Sequence, residues 1–401
     1  MRILLLCDKP PWPGNSGGAI ATRSVIDAMV ANGFDLTIFF LSTPKHRLNS
    51  NDVPAGIDKQ VSLIKEVTDN RINPIKALIT LLFSRKPYNI SRFYSKKTAG
   101  RISALLKESS FDVIQFEGLV MNLYFYHVKK ESSAKLVMRS HNVESDIWYS
   151  LAGETHHPLR KFYYNSLAKR IERVEKESLN RYDTLLTISD IDRERFIDSG
   201  VTIPVITLYP ALKKSATKDA VNLNGEIRAG FIGSLDWQPN IKGLIWFLDK
   251  VWPETKHSKN RIKLIVAGRN PVPLITRKMK RADVDYCGSP VSSSSFLEAI
   301  NLLIVPLFSG SGIRIKIIEA LMHGIPVVTT KRGAEGLPQD IAGMITITDD
   351  PSAMSAGIIE TAYRGDSAQC SRLLIEKAAG YFSEEVATKK INTIYKALTG
   401  G

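Results

Sequence analysis

The chain has 401 residues, of which 44% are hydrophobic and 23% are charged. Such a length exceeds what one ordinary core supports, and such a composition excludes a disordered chain, so we expect two globular domains. The net charge of +14 calls for an anionic partner, although no recognisable nucleic-acid-binding module points to nucleic acid as that partner.

The opening of the chain predicts a Rossmann-like unit. Its elements are a buried strand at Arg2–Cys7, a loop at 8–18, a helix at Ala19–Ala31 and a strand at Leu36–Leu41. The loop lacks the GxGxxG fingerprint of dinucleotide-binding proteins. Gly17 and Gly18 at the helix entry still allow the backbone to approach a phosphate or a sugar, although glycine there also serves a simple turn.

A strongly basic segment lies between residues 71 and 107. It holds nine Lys or Arg residues and no Asp or Glu, interleaved with large apolar side chains such as Leu78, Leu82 and Phe83. Basic and apolar residues mixed on short helices are typical of binding to an anionic membrane surface. The alternative is a helical hairpin with a core face and a solvated basic face. We expect the membrane contact, because a solvated face rarely lacks acidic residues over such a length.

Two candidate site residues follow strands of the first half. Further strands are predicted at Asp112–Phe116, Lys135–Arg139 and Thr184–Ile188, with a long amphipathic helix at Leu159–Leu179. Loops at the carboxyl ends of parallel strands are where such sheets bind ligands. His141 therefore either contacts substrate or caps the helix that follows it, and Glu117 is a candidate on the same ground.

Residues 213–225 are polar, lack periodicity and predict an interdomain linker. A second α/β series follows. Its strands are predicted at Ile227–Ile232, Arg261–Ala267, Val284–Cys287, Leu302–Leu307, Pro326–Thr330 and Met344–Ile347, and the chain from Pro351 onward is predicted to be helical.

The stretch 302–336 predicts a strand, a glycine-rich loop, a helix and a second strand. Ser311 is a residue type that caps helix N-termini. As a cap it would leave the amides of Gly312, Ile313 and Arg314 free to bind an anion.

Two cations accompany this predicted helix start. Arg314 and Lys316 would lie in its first turns, where the helix dipole disfavours positive charge. A phosphate or diphosphate bound between the cations and the amides would explain the arrangement. The alternative is that both are solvated surface residues.

Cysteine use and hydropathy bear on the compartment. Three single cysteines without a CxxC pair favour a reducing compartment over a disulfide framework or a zinc site. The apolar start is too short for a signal peptide, and no stretch reaches the roughly 18 apolar residues that cross a bilayer. We expect a cytoplasmic protein, peripheral to the inner face of the cell membrane where its basic segment binds lipid.

No metal site is expected. Asp190 and Asp192 follow Ser189 at a helix start and have the positions of caps, and Asp283 and Asp285 enter a strand from a basic segment. Walker and HExxH motifs are missing from the sequence, so NTPase and metallohydrolase functions have no support.

The second half resembles a known family. Residues 302–336, with GSGIRIKIIEALMHGIPVVTTKRGAEG, resemble the donor-binding signature of family 4 glycosyltransferases, often called group 1. FIGSLDWQPNIKGLIWFL resembles the start of that family's second domain. HNVE at 141–144 and LLTISDIDRER at 185–195 resemble parts of its first domain. The resemblance is strong over 227–340 and looser over 1–210.

The resemblance implies an α/β protein with the GT-B architecture, in which two Rossmann-like domains face each other across a cleft. The domains would be an acceptor-binding domain at 1–207 and a nucleotide-sugar donor-binding domain at 208–380. A C-terminal helix at 381–401 would pack back on the first domain.

The resemblance also implies roles for individual residues. Glu319 would bind the ribose hydroxyls of the nucleotide, Arg314 and Lys316 would neutralise the leaving diphosphate, and His141 would lie near the donor sugar. The implied catalytic set is His141, Arg314 and Lys316. The implied donor-binding set is Gly17, Gly18, Gly233, Ser311, Gly312, Ile313, Glu319 and Glu335.

The chain departs from the family pattern at three places. Ser311 stands where the family's Glu-x7-Glu has its first glutamate, and Ser234 stands where many members have arginine. Tyr209-Pro210-Ala211 replaces the usual Pro-Asn-Gly at the domain junction. We hypothesise that Arg314 and Lys316 compensate for the lost arginine.

The expected activity is retaining, metal-independent transfer of a sugar from a nucleotide diphosphate sugar, with no cofactor. The acceptor would be a glycan or a lipid-linked hydroxyl in bacterial cell-surface polysaccharide synthesis. One alternative is a nucleotide-sugar 2-epimerase, for which Glu117 and Glu335 are the candidate carboxylates. Another is a catalytically inactive scaffold, suggested by Ser311.

Overall fold

The computed structural model describes residues 1–13, 17–44, 46–49, 52–54, 56–57, 60–84, 86–214, 227–257, 262–364 and 368–400. They form two compact units, Met1–Pro210 with Ala387–Gly401 and Ala211–Val386. The predicted linker at 213–225 lies outside the described residues except for its first two positions.

Seven strands in the described part of the first unit form one parallel sheet in the order β3-β2-β1-β4-β5-β6-β7. The strands are β1 Arg2–Cys7, β2 Asp35–Ser42, β3 Val61–Val67, β4 Val113–Glu117, β5 Lys135–Arg139, β6 Thr184–Thr187 and β7 Val205–Thr207. The central strands are buried along almost their whole length because a parallel sheet is covered on both faces. The order reverses between β1 and β4, and ligands bind at such a switch point in open α/β sheets.

Helices connect most of these strands. They are α1 Gly17–Ala31, α2 Pro74–Phe83, α3 Tyr88–Ser91, α4 Lys96–Glu108, α5 Phe125–Glu131, α6 Glu144–Glu154, α7 Pro158–Leu179 and α8 Asp190–Asp198, with a 3₁₀ helix at Leu119–Tyr124.

The second unit repeats the plan with a six-stranded parallel sheet in the order β10-β9-β8-β11-β12-β13 among its described residues. The strands are β8 Ile227–Ile232, β9 Ile262–Ala267, β10 Asp285–Tyr286, β11 Leu302–Val305, β12 Val327–Thr329 and β13 Thr346–Ile347. The helices are α9 Gln238–Trp246, α10 Trp252–Lys256, α11 Pro273–Arg281, α12 Ser293–Glu298, α13 Ile315–Met322, α14 Gln339–Ala342, α15 Pro351–Arg364 and α16 Ala368–Phe382, with a π-helix at Phe247–Val251. Its switch point lies between β8 and β11.

The last helix, α17 Glu384–Thr399, belongs to the first unit from Ala387 onward. Its side chains Ile391 and Tyr395 are fully buried there. The Asn32 amide at the end of α1 donates to the Thr388 carbonyl at 2.9 Å. The end of the chain therefore completes the core of the unit that the beginning of the chain forms.

Across the described residues, no helix is both long and apolar enough to span a lipid bilayer.

Candidate functional site

A buried cluster of polar side chains lies at the switch point of the first unit. Glu117 ends β4 and Arg139 ends the neighbouring β5, so parallel pairing places them side by side. Arg139 Nη1 donates to Glu117 Oε2 at 3.0 Å, and both side chains are almost completely buried. His141 lies two residues beyond Arg139, and its Nε2 is 2.8 Å from the same carboxylate oxygen. The structure thus joins the two candidates that the sequence analysis selected separately.

The charge state of Glu117 orients the histidine. Burial raises the pKa of Glu117, but the Arg139 charge and the His141 hydrogen bond lower it more strongly, and the resulting pKa is about 2. An ionised carboxylate only accepts hydrogen bonds, so we assign the proton of His141 to Nε2. Arg139 Nη1 also approaches Nε2, but that distance is longer, at 3.2 Å. The Nδ1 atom of His141 is left on the other side of the ring.

The cluster continues to the last helix of the chain. The Gln115 amide donates to Glu117, and the Tyr395 hydroxyl donates to the Gln115 side-chain oxygen. Burial and the nearby Glu117 raise the pKa of Tyr395 well above its usual value, so the phenol keeps the proton that it donates. Tyr395 therefore supports the strand that carries Glu117.

The two predicted glycines lie at the start of α1, which begins at Gly17. A Cβ atom on Gly18 would lie 3.1 Å from Lys9 Nζ and 3.4 Å from His141 Nδ1. Gly18 thus lies beside the side of His141 that faces away from Glu117. Lys9, which sequence reasoning did not select, lies in the loop after β1 at the same edge of the sheet.

In the second unit, Lys316 reaches the switch point. Its Nζ donates to the Ile232 carbonyl at 2.6 Å, at the end of β8, and to Asn240 Oδ1 at 3.3 Å. The ammonium also lies 5.2 Å from the centre of the Phe231 ring. Burial and the neighbouring Arg314 charge lower the pKa of Lys316 to about 7, against an opposing effect of Glu319. A nearby anion would strongly stabilise the charged form of an ammonium in this position.

The predicted helix cap is wrong. Helix α13 begins at Ile315, with Arg314 rather than Ser311 as its N-cap residue. Residues 311–314 form a loop, in which Arg314 Nη1 donates to the Ser311 carbonyl at 2.7 Å. The arginine side chain thus folds back over the loop, and Gly312, with a φ of 77°, takes a conformation that this turn requires. The amides of Gly312 and Ile313 therefore belong to the loop and not to the first turn of the helix.

Two carboxylates lie in the second unit among the predicted donor-binding residues. Glu319 is one turn beyond Lys316 on α13, and its Oε1 accepts a hydrogen bond of 2.7 Å from Ser293. Burial raises the pKa of Glu319, with the Ser293 hydrogen bond opposing. Glu335 lies after β12 and pairs with Arg332 at 2.8 Å.

A cation that sequence reasoning missed lies beside Ser234. Arg269, just beyond β9, places its Nε 3.4 Å from Ser234 Oγ, and Asp236 accepts from the same hydroxyl at 2.6 Å. The one signal in the sequence was Ser234, which stands where many members of the resembled family have arginine. Parallel pairing of β8 and β9 is what brings Arg269 to this position.

Gly233 provides the space for Lys316. A Cβ atom there would lie 2.5 Å from the Asn240 amide nitrogen and 3.0 Å from Lys316 Nζ. We expect Gly233→Ala to lower the free energy of unfolding by about 1–3 kcal/mol, the usual cost of overpacking. Denaturant unfolding would measure it. Gly343→Ala is the control, because its Cβ would make only ordinary contacts at 3.6 Å; equal stability of the two variants would contradict the prediction.

Among the described residues, no group of three or more His, Cys, Asp or Glu side chains is arranged to hold a metal ion. Metal independence stays a prediction.

Comparisons with known proteins agree with these observations. Residues 226–362 match the family described as "Glycosyl transferases group 1". A protein of Klebsiella pneumoniae, named "Uncharacterized 44.6 kDa protein in cps region", is 24% identical over 374 residues, which cover 89% of this chain and 90% of that protein.

Solved structures match both units. Anabaena HepE in complex with UDP and glucose superposes with a TM-score of 0.67 at 14% identity, covering 99% of this chain and all of HepE. Sucrose-phosphate synthase from Thermosynechococcus elongatus gives a TM-score of 0.71 at 13% identity, with both chains fully covered. At these identities the matches establish the fold, two parallel-sheet α/β domains of the kind found in those proteins.

Proposed function

We propose that the chain, whose residues 226–362 match the group 1 glycosyltransferases, moves a sugar from a nucleotide diphosphate sugar to a hydroxyl acceptor with retention of configuration. The observation that carries the proposal is the position of Lys316, whose ammonium lies at the carboxyl end of β8 beside Gly233. This is the place where the family's arginine is replaced by Ser234.

The cations would act on the leaving group. As the bond between the sugar C1 and the phosphate oxygen breaks, charge develops on the diphosphate, and preorganised cations stabilise it. Arg314 and Lys316 are buried or partly buried cations on one short segment, and Arg269 offers a third charge beside Ser234. The acceptor oxygen would form its bond to C1 on the same face, and its proton would pass to the leaving phosphate oxygen.

The first unit would contribute His141. Its Nε2 is engaged by Glu117, so Nδ1 is the nitrogen available to a hydroxyl of the sugar or the acceptor. Gly18 lies beside that nitrogen and leaves room for a ligand. We propose that His141 positions the reacting sugar, and that no side chain acts as a covalent nucleophile.

The acceptor and the pathway form a finer part of the proposal. The Klebsiella relative carries the words "in cps region" in its name, which supports a role in cell-surface polysaccharide synthesis. The basic segment between 71 and 107 supports a lipid-linked acceptor at the inner face of the cell membrane. HepE was solved with UDP and glucose, which favours a UDP-sugar as the first donor to try.

The test is a screen of the purified chain against a panel of nucleotide sugars. We expect one donor to raise the melting temperature and to be hydrolysed slowly without acceptor, since water can replace the acceptor hydroxyl. An epimerase would instead convert the donor to its C2 epimer without releasing nucleotide diphosphate. A scaffold would yield neither product, and either result would reject the proposal.

Glu319 gives a more specific prediction. If it binds the ribose hydroxyls, Glu319→Ala should weaken nucleotide diphosphate binding roughly 10- to 150-fold, the range for a hydrogen bond to a charged group. Isothermal titration calorimetry with the nucleotide diphosphate would measure the loss. Glu298→Ala is a matched control, because Glu298 is an exposed glutamate on the neighbouring α12. Equal affinities of the two variants would remove Glu319 from the donor site.

A further inference from the structure

Helix α2, Pro74–Phe83, exposes an apolar face that the described residues of its own unit leave uncovered. Five large apolar side chains of this helix are between 52% and 83% exposed, and none of its residues is buried; they are Ile75, Leu78, Ile79, Leu82 and Phe83. Ile75, Leu78, Ile79 and Leu82 follow the i, i+3, i+4, i+7 spacing of an amphipathic helix, which normally faces a core. A contiguous exposed apolar surface of this kind marks an interaction site.

Polar contacts at its two ends hold α2 in this orientation. Asn73 caps the helix by accepting from the Lys76 amide at 3.0 Å. At the other end, the Arg170 guanidinium of α7 donates to the carbonyls of Thr80 and Leu81, at 2.8 and 2.6 Å. The end contacts anchor the helix through its backbone and leave its apolar side chains available to a partner.

The first turns of α7 extend the apolar surface. Leu159 is 74% exposed and Phe162 is 68% exposed. Leu159 precedes Arg170 by eleven residues, which is about three turns, so it projects from the same side of α7 as the arginine that contacts α2. This part of the surface lies outside the basic segment at 71–107 and was not predicted from the sequence.

The charges on α2 and on the first half of α7 have one sign. Lys76 is the charged residue of α2, and α7 carries Arg160, Lys161, Lys169 and Arg170 before its first acid, Glu172. A second copy of this surface would place cations against cations. An anionic bilayer instead matches both properties, since its headgroups attract the cations and its acyl boundary accepts the apolar side chains.

We infer that the exposed face of α2 and the first turns of α7 form a membrane-docking surface that inserts apolar side chains into the interface of an anionic bilayer. The inference rests on the membrane position in the proposed function, and it names the residues that enter the lipid. Burial of apolar area would supply much of the binding, so the docking should survive salt concentrations that screen the cations.

The test is co-sedimentation of the full chain with phosphatidylcholine vesicles that contain or lack phosphatidylglycerol. We expect binding to the anionic vesicles, and we expect Leu78→Ser with Leu82→Ser to weaken it roughly tenfold or more, because several buried CH₂ groups are lost. Leu373→Ser is the control, a leucine of the second unit that is 49% exposed. Circular dichroism should show native helix content in all variants, because the replaced side chains make no core contacts.

Other outcomes would contradict either the membrane-docking inference or the proposed function. Absence of binding by the unaltered chain, or equal binding by the double variant, would overturn the inference. If α2 instead joined two copies of the chain, sedimentation velocity would show a dimer that the double variant abolishes, and the inference would also fall. Transfer to a water-soluble acceptor without vesicles should be the same in all variants. If no variant and not even the unaltered chain transfers sugar, the proposed function is refuted, but the membrane-docking surface is not.

Discussion

Replacing Lys316 by alanine is expected to lower kcat for sugar transfer by roughly 10²- to 10³-fold, the loss seen when one stabilising group of a developing anion is removed. The chain should stay folded, because Lys316 is partly exposed and its removal takes away two hydrogen bonds and a contact with the Phe231 ring without leaving a buried charge. Lys280→Ala, an exposed lysine at the end of α11, is the matched control. If the Lys316 variant turns over at the unaltered rate, Lys316 does not act on the leaving diphosphate.

The pH dependence of sugar transfer gives a second test of the role of Lys316. The pKa of Lys316 is about 7, so its positive charge is present below that pH and is lost above it. We therefore expect kcat/KM for the donor to fall as the pH rises through 7, since that ratio reports the free enzyme. A bound diphosphate raises the pKa, so the decline in kcat should occur at higher pH. Lys316→Arg keeps its charge and should lose the decline; the same decline in that variant would assign it to another group.

Glu117→Gln is expected to lower the free energy of unfolding by about 3–5 kcal/mol, because it leaves the Arg139 charge buried without its carboxylate. The change should also impair transfer, since His141 loses the group that orients it. Denaturant unfolding and turnover measurements would separate the two effects. Glu108→Gln, an exposed glutamate at the end of α4, is the control.

Acid titration provides an independent check. The pKa of Glu117 is about 2 in the folded protein, against 4.5 for an ordinary glutamate. A carboxyl with a lowered pKa stabilises the fold above its unfolded pKa and loses that contribution as the pH falls through the folded one. The free energies of unfolding of the unaltered chain and of Glu117→Gln should therefore converge as the pH falls from about 4.5 to 2. Parallel curves over that range would contradict the assignment of the charge to Glu117.

A second variant distinguishes structure from function. Replacing both Glu117 and Arg139 by apolar residues of similar volume removes the unbalanced charge and should restore part of the stability. Transfer should remain impaired, because His141 still lacks its partner. Recovery of activity together with stability would mean that the pair serves only the fold.

The fold was largely predictable because buried parallel strands appear in the sequence as short apolar runs. Strands β5 and β8 have the predicted bounds, Lys135–Arg139 and Ile227–Ile232. Strand β3, Val61–Val67, was missed because it lies at the edge of the described sheet beside β2, and most of its residues are exposed or half-buried. A run that mixes Lys and Glu with apolar residues lacks the signal that marks the central strands.

The candidate site was predictable where it depended on strand ends and unpredictable where it depended on side-chain direction. The position after a strand identified Glu117 and His141, but not the hydrogen bond between them. Ser311 is a residue type that caps helices, yet the Arg314 side chain donates to its carbonyl and the helix begins only at Ile315. Arg269 depends on strand pairing between residues far apart in sequence, which a single chain does not reveal.

The placement of α17 in the first unit has a consequence for biosynthesis. The unit's sheet is complete in sequence by β7, but Tyr395, which supports Gln115 and through it Glu117, is translated only after the second unit. Domains generally fold as units in the order in which they leave the ribosome. Here the first unit waits for the whole second unit to be synthesised before its buried cluster can close. A chain stalled before Tyr395 would carry every proposed catalytic residue and still lack the phenol that completes the support of His141.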